Sequence, residues 1–211
     1  YLVGTPYELD SVVICPVTTD MRTADFRLTV EPTATNGLQG LGLRSTALSL
    51  AVRATSGVQY MSDKDSTLAQ FDQAGAQRLE NIYLTPDVVQ QREQIFQLLN
   101  VTPGMQALDI GCGPGLTSLA LALAVGDKGR VDAIDIAPPM LQLAARRCEE
   151  AKQVAFHQAD VLHMPFADGA FDVALATQVY EYVADLDAAF LELARVMKSG
   201  AQVLLVDTDW E

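Results

Sequence analysis

The residues whose spacing points most clearly to chemistry lie between positions 108 and 115. An apolar run leads to Asp109, and glycines follow at alternate positions as Gly111, Gly113 and Gly115. Glycine lets a backbone approach a ligand closely, because no Cβ intervenes and positive φ angles are accessible. A helix-forming stretch comes next, and a strand, a Gly-rich turn and a helix N-terminus together form a corner that binds nucleotide-type ligands.

A second acidic residue, Asp135, lies twenty positions after Gly115. That spacing suits a carboxylate that accepts hydrogen bonds from ribose hydroxyls, in a dinucleotide or in an adenosyl ligand. The dinucleotide pattern G-x-G-x-x-G would need glycine where Leu116 stands, and Asp109 would repel a pyrophosphate. Acidic strand ends at Asp109, Asp135 and Asp160 favour a cationic ligand without phosphate, such as S-adenosylmethionine.

Strands and helices alternate after residue 104, which indicates βαβ crossovers and a parallel sheet covered on both faces. The pattern predicts a Rossmann-like α/β fold with a mostly parallel sheet of five strands and helices on both faces. The predicted strands are 106–110, 130–136, 154–159, 171–177 and 201–206, and the predicted helices are 115–125, 138–151 and 185–198.

Residues 105–211 resemble class I S-adenosylmethionine-dependent methyltransferases of the small-molecule branch that includes ubiquinone and menaquinone biosynthesis. The matching motifs are LDIGCGPG (108–115), VDAIDIAPPM (131–140), QADVLHMPF (158–166), FD (171–172) and RVMKSG (195–200). In this family the sheet ends with two further strands, one of them antiparallel. Nothing follows Glu211 in this sequence, so we expect the closing strands to be missing.

The resemblance implies a set of cofactor-binding residues. Gly111, Gly113 and Gly115 would line the methionine and ribose side, and Asp135 would bind the ribose hydroxyls. Ile136 would pack on the adenine, Asp160 would meet its exocyclic amine beside Val161, and Gln178 would lie near the methionine moiety. The cofactor-binding candidates within the matching motifs also include Asp109, Cys112 and Met140.

Two helices, predicted over 66–80 and 86–99, precede this domain and would form a lid within residues 61–103. Arg92 falls in the middle of the apolar face of the second helix, where a charge is rarely left unpaired. It would either reach solvent or pair with a buried acid, or it would bind the cofactor's carboxylate with Tyr83 as a second donor. Tyr180 and Glu181 are the candidate catalytic residues, although a simple helix-start cluster explains them equally well.

Composition narrows the class of protein. A net charge of −13 over 211 residues lacks the basic footprint of a nucleic-acid binder, so we expect no nucleic-acid partner. Three widely spaced cysteines indicate reduced thiols and a cytoplasmic protein. The longest apolar run, 116–125, is too short to span a bilayer, and no His, Cys or Asp spacing indicates a metal.

Residues 1–60 differ from the rest, since they contain no lysine and are rich in Thr, Ser and Gly. They would form a β-rich appendage, a targeting segment, or a poorly ordered or non-native leader, which we favour because residues 61–65 resemble an ordinary protein start. The sequence thus predicts a leader (1–60), lid helices (61–103) and an incomplete cofactor-binding domain (104–211).

The expected function is methyl transfer to a small-molecule acceptor. A non-catalytic nucleotide-binding or scaffold domain is the alternative, and an NAD(P)-dependent oxidoreductase is a less favoured one. The acceptor and the oligomeric state are left open.

Overall fold

The computed structural model describes residues 72–206 continuously, together with 12–14, 17–18, 28–30, 48–50 and 208–209. Two helices come first, α1 (Gln73–Tyr83) and α2 (Pro86–Phe96). Asp72 caps α1 by accepting a 2.7 Å hydrogen bond from the amide of Gly75, and Pro86 occupies the first position of α2, where its missing N–H costs nothing. Among the residues described, no helix is long and apolar enough to cross a membrane.

The remainder alternates between strands and helices, as predicted. We number the strands in chain order from the short ones in the first segment: β1 (Val12–Ile14), β2 (Val17–Thr18), β3 (Leu28–Val30) and β4 (Leu48–Leu50). The alternating part contains β5 (Gln106–Ile110), α3 (Leu116–Val125), β6 (Arg130–Asp135), α4 (Pro138–Arg147), β7 (Val154–Gln158), β8 (Phe171–Thr177), α5 (Leu186–Val196), β9 (Met197–Val206) and β10 (Thr208–Asp209).

The main sheet has the order β1-β9-β8-β5-β6-β7, and the pairings between these described strands are all parallel. The five predicted strands are all present, so the predicted α/β fold is confirmed. One sheet face packs on α3 and the end of α2 through residues such as Leu121 and Ile95. The other face packs on α5 through residues such as Leu193. Both faces are therefore covered, which explains why the strands read as apolar runs rather than alternating patterns.

The edge of β9 is paired with the first segment of the chain. Val12 pairs with Val203 and Val17 pairs with Thr208, so both short pairings keep the same offset of 191 positions. The two pairings therefore lie in one parallel register. Most of residues 1–60 lies outside the described residues, and the interpretation of that segment as a leader stays a prediction.

Candidate functional site

The glycine loop, residues 111–115, follows the carboxyl end of β5. This strand lies between β6 and β8, where the order in which successive strands are added to the sheet reverses. In open α/β sheets ligands bind in the crevice at this point. Gly111, Gly113 and Gly115 all have positive φ angles, of 63°, 51° and 80°. The structure thus explains the requirement for glycine in all three positions.

The three glycines nevertheless serve different purposes. A Cβ on Gly111 would lie 2.3 Å from Cγ2 of Val179, in the loop after β8, and a Cβ on Gly115 would lie 2.8 Å from Cα of Ala144 in α4. No atom of the described residues lies within 4 Å of the Cβ position of Gly113. Gly111 and Gly115 therefore permit close packing of the protein on itself, whereas Gly113 borders open space in the crevice.

Asp135 connects the end of β6 to this loop. Its Oδ2 accepts a 2.8 Å hydrogen bond from the amide of Gly113, and its Oδ1 accepts one of 2.8 Å from the amide of Ala137. Burial raises the pKa of the Asp135 carboxyl, and these amide donors oppose the rise. The contact brings the two residues that the sequence selected for an adenosyl ligand into one corner.

Asp109 is more deeply buried than the sequence implied, with 2% of its surface exposed. Its Oδ2 accepts hydrogen bonds from the hydroxyls of Thr117 at 2.8 Å and Ser118 at 2.5 Å, in the first turn of α3. Burial raises the pKa of Asp109 to about 7, against the effect of these two donors. The sequence predicts a full negative charge at Asp109, and burial in the structure disfavours that charge.

Tyr83, the last residue of α1, is influenced by two acidic residues of the crevice. Burial raises the pKa of its hydroxyl, and the negative charges of Glu181 and Asp135 raise it further. The structure thus brings Tyr83, at the end of α1, towards one of the two candidate catalytic residues. The other candidate, Tyr180, is 4% exposed and stacks on Phe190 with the ring centres 5.1 Å apart. Both residues belong to the short 3₁₀ turn Tyr180–Tyr182 that follows β8.

Arg92 adopts an arrangement that neither sequence interpretation described. Its Nη1 donates a 3.0 Å hydrogen bond to the carbonyl oxygen of Tyr83. The pKa of Arg92 is lowered, first by burial and then by the positive charge of Arg147. Arg92 therefore holds the end of α1, and the predicted contact to a cofactor carboxylate stays a prediction.

The remaining candidates are divided between the core and the crevice. Cys112 is 3% exposed and clusters with Ala133 and Ala144. Met140 is 2% exposed and packs with Ala76 and Ala137, and Val161 belongs to the core under α5. The half-buried candidates are Ile136, Asp160 and Gln178, which follow β6, β7 and β8. Gln178 has a φ of 59°, and its backbone N–H donates a 2.7 Å hydrogen bond to the carbonyl oxygen of Val206.

A cavity of about 470 Å³ lies elsewhere, next to Asp127, Arg130 and Lys152 at the amino ends of β6 and β7. Arg130 is already paired with Asp132, its Nε lying 2.7 Å from Oδ2, and Lys152 donates to the carbonyl of Glu149. Because both positively charged side chains already have partners within the protein, this cavity is a weaker candidate for a ligand site than the glycine corner. Within the described part of the chain, no group of three or more His, Cys, Asp and Glu is placed to hold a metal ion.

Comparison with known proteins shows what this domain is similar to. Residues 108–205 match a family model described as a methyltransferase domain. This match covers the glycine loop, Asp135, Asp160 and Gln178, and it confirms the resemblance that the sequence motifs indicated.

Relatives and solved structures agree with this assignment. The chain is 34% identical to a demethylmenaquinone methyltransferase of Bacillus licheniformis over 117 residues, which cover 56% of this chain and 50% of that protein. It is also 34% identical to an uncharacterised 37.1 kDa protein in transposon Tn4556 of Streptomyces fradiae, covering 63% of this chain and 39% of that one. The chain thus spans half or less of the length of these relatives.

A solved structure of a candidate S-adenosyl-L-methionine-dependent methyltransferase from Methanococcus maripaludis superposes with a TM-score of 0.56. It is 28% identical, and the match covers 64% of this chain and 63% of that chain.

Proposed function

We propose that this chain transfers a methyl group from S-adenosylmethionine to a small-molecule acceptor. The observation that carries the proposal is the corner of Gly113 and Asp135, where an open glycine borders a carboxylate at the end of β6. The methyltransferase domain that contains this corner supports the same function. Because the relatives are at least about twice as long as the matched part of this chain, the activity of the whole protein is also a proposal.

The residues of the corner fit an adenosyl ligand without a phosphate. The open side of Gly113 leaves room for a ligand against the backbone, and Asp135 would accept hydrogen bonds from the ribose hydroxyls with its remaining lone pairs. Ile136 would pack on the adenine and Asp160 would accept from its exocyclic amine. Gln178, with Gly111 and Gly115 behind it, would border the methionine moiety.

When bound, S-adenosylmethionine supplies a methyl group on a positively charged sulfur, which is already activated for transfer. The protein then has to hold the acceptor in line with that methyl group and exclude water. Helices α1 and α2 would exclude water, and the influence of Glu181 and Asp135 on the pKa of Tyr83, at the end of α1, supports this role. Glu181 is the residue that we propose to orient the acceptor or to take its proton, where the acceptor requires a base.

We also propose that the acceptor is a small molecule rather than a nucleic acid, and that the protein acts in the cytoplasm. The net charge of −13 supports the first statement, since nucleic acid would be repelled. The three widely spaced cysteines support the second.

Transfer of a tritiated methyl group tests the proposal. The protein is incubated with methyl-labelled S-adenosylmethionine and a panel of hydroquinones, phenols, amines and thiols, and the label is counted in each small-molecule product. We expect label in at least one class of acceptor and a loss of that label in the Asp135→Asn variant. Binding of S-adenosylmethionine without transfer to any acceptor would favour the non-catalytic alternative.

A further inference from the structure

Helix α4 lies behind the glycine loop and contacts it with two residues of its last turns and with the residue that follows the helix. Ala144 packs against Gly115, and Cys148, just after the helix, places its Sγ 3.7 Å from the Gly115 carbonyl. Between them Arg147 donates from Nε to the carbonyl oxygen of Pro114 at 2.8 Å. Pro114 stands between Gly113 and Gly115 in the sequence, so this hydrogen bond contacts the backbone of the loop directly.

The same guanidinium also reaches the helix that covers the crevice. Nη2 of Arg147 forms an ion pair with Oε1 of Glu80 in α1, and the two side chains are only 20% and 15% exposed. An ion pair this sheltered from water is screened less than a surface pair. The planar fork of arginine allows Nε and Nη2 to serve two partners at once, which a lysine ammonium on its flexible stem does less well.

Helix α1 has further contacts besides this ion pair. Its apolar side packs on the start of α4 through Ala76 and Met140, and its last residue accepts the hydrogen bond from Arg92. Towards the glycine loop, Glu80 with Arg147 provides the polar connection. A shift of α1 would therefore act on the Pro114 carbonyl through one side chain.

We infer that Arg147 is a positioning residue that couples the docking of α1 to the conformation of the glycine loop. The inference rests on the proposed function in that the loop is taken to bind S-adenosylmethionine. Closure of α1 and ligand binding then favour each other by the same factor, because coupling between two equilibria is reciprocal. Arg147 itself does not touch the reacting atoms.

Two measurements test the inference on the full chain. The first is hydrogen exchange without ligand, followed over 73–83 in α1 and over 111–115. Arg147→Gln is expected to speed exchange in both segments, and Glu80→Gln, which changes only the α1 partner, is expected to speed exchange in the loop as well. Arg146→Gln is the matched control, since Arg146 is an exposed neighbour in the same helix turn, and it should leave both segments unchanged.

The second measurement is the dissociation constant of S-adenosylhomocysteine by calorimetry. We expect about a tenfold weakening in Arg147→Gln, because that variant loses the charge-assisted hydrogen bond to the loop, and a smaller weakening in Glu80→Gln. The double variant should be no weaker than Arg147→Gln alone, whereas two independent sites would add. Arg147→Lys should recover part of the affinity.

The outcomes separate the two proposals. If the wild-type protein does not bind S-adenosylhomocysteine, the proposed function is wrong, and the exchange data still decide the coupling. If Glu80→Gln speeds exchange in α1 but leaves the loop unchanged, or if the two substitutions act additively on affinity, the coupling through Arg147 is refuted.

Discussion

Replacement of Gly115 by alanine tests the packing of the glycine loop on α4. Gly115 is the N-cap of α3 and has a φ of 80°. A Cβ there would lie 2.8 Å from Cα and 2.9 Å from Cβ of Ala144. Neither atom belongs to a flexible side-chain end, so the clash cannot be relieved by a rotamer change, and α3 or α4 would have to move.

The expected cost has two parts. The left-handed conformation costs a non-glycine residue about 1–2 kcal/mol, and forcing an extra methyl group into a packed contact costs about 1–3 kcal/mol. Gly115→Ala should therefore lower the free energy of unfolding by about 2–5 kcal/mol. Gly200→Ala is the matched control, because Gly200 has a φ of 78° and no atom of the described residues lies within 4 Å of its Cβ position. In Gly200→Ala the free energy of unfolding should fall only by the conformational part of this cost.

Gly113→Ala completes the comparison. Its φ is 51° and its Cβ would point into open space, so its stability should resemble that of Gly200→Ala. Its affinity for S-adenosylmethionine, however, should fall at least tenfold, because the methyl group would project into the crevice. Urea unfolding followed by circular dichroism and calorimetric titration give the two quantities. Equal stability of Gly115→Ala and Gly200→Ala would refute the packing argument, and wild-type affinity in Gly113→Ala would refute the placement of the ligand.

Three further predictions concern the acids and thiols around the loop. Because the folded pKa of Asp109 is raised to about 7, its contribution to stability is complete below pH 4 and is lost as the pH rises through 7. Asp109→Asn should therefore gain about 3 kcal/mol of stability relative to wild type between pH 5 and pH 8 in urea unfolding, and a stability difference that does not change with pH would contradict the buried charge. Asp135→Asn would set an amide nitrogen against one of two backbone donors, the amides of Gly113 and Ala137. It should lower stability by roughly 1–3 kcal/mol and cofactor affinity at least tenfold by calorimetry, whereas wild-type values of both would count against the corner. Burial raises the pKa of Cys148 to about 11 and holds the pKa of Cys112 well above its usual range, so peptide mapping should find both unmodified by iodoacetamide in the native protein, and rapid native labelling would contradict their burial.

The sequence predicted the strands well where an apolar run is bounded by turn residues. The predicted strands 106–110 and 171–177 coincide with β5 and β8 as the structure has them. Such runs are buried on both faces, so their limits are visible as a change in composition. Helix ends were less accurate: the helix predicted to residue 151 ends at Arg147, although the exposed Glu149 and Glu150 continue a helical pattern.

The connections across the site could not be predicted. Glu80 and Arg147 are 67 positions apart, and the ion pair between them depends on how α1 lies on α4, which no local pattern encodes. The three glycines look equivalent in the sequence, and only their neighbours in space distinguish packing at Gly111 and Gly115 from open space at Gly113. The pKa of Asp109 could not be predicted from the sequence either, since burial and the hydroxyls of α3 determine it.

The most direct test of the central claim is calorimetric titration of the wild-type chain with S-adenosylmethionine and, separately, with NAD⁺ and NADH. The glycine corner as described should bind S-adenosylmethionine at one site and give no heat with either dinucleotide. Binding of a dinucleotide instead, or no heat with S-adenosylmethionine, would contradict the account.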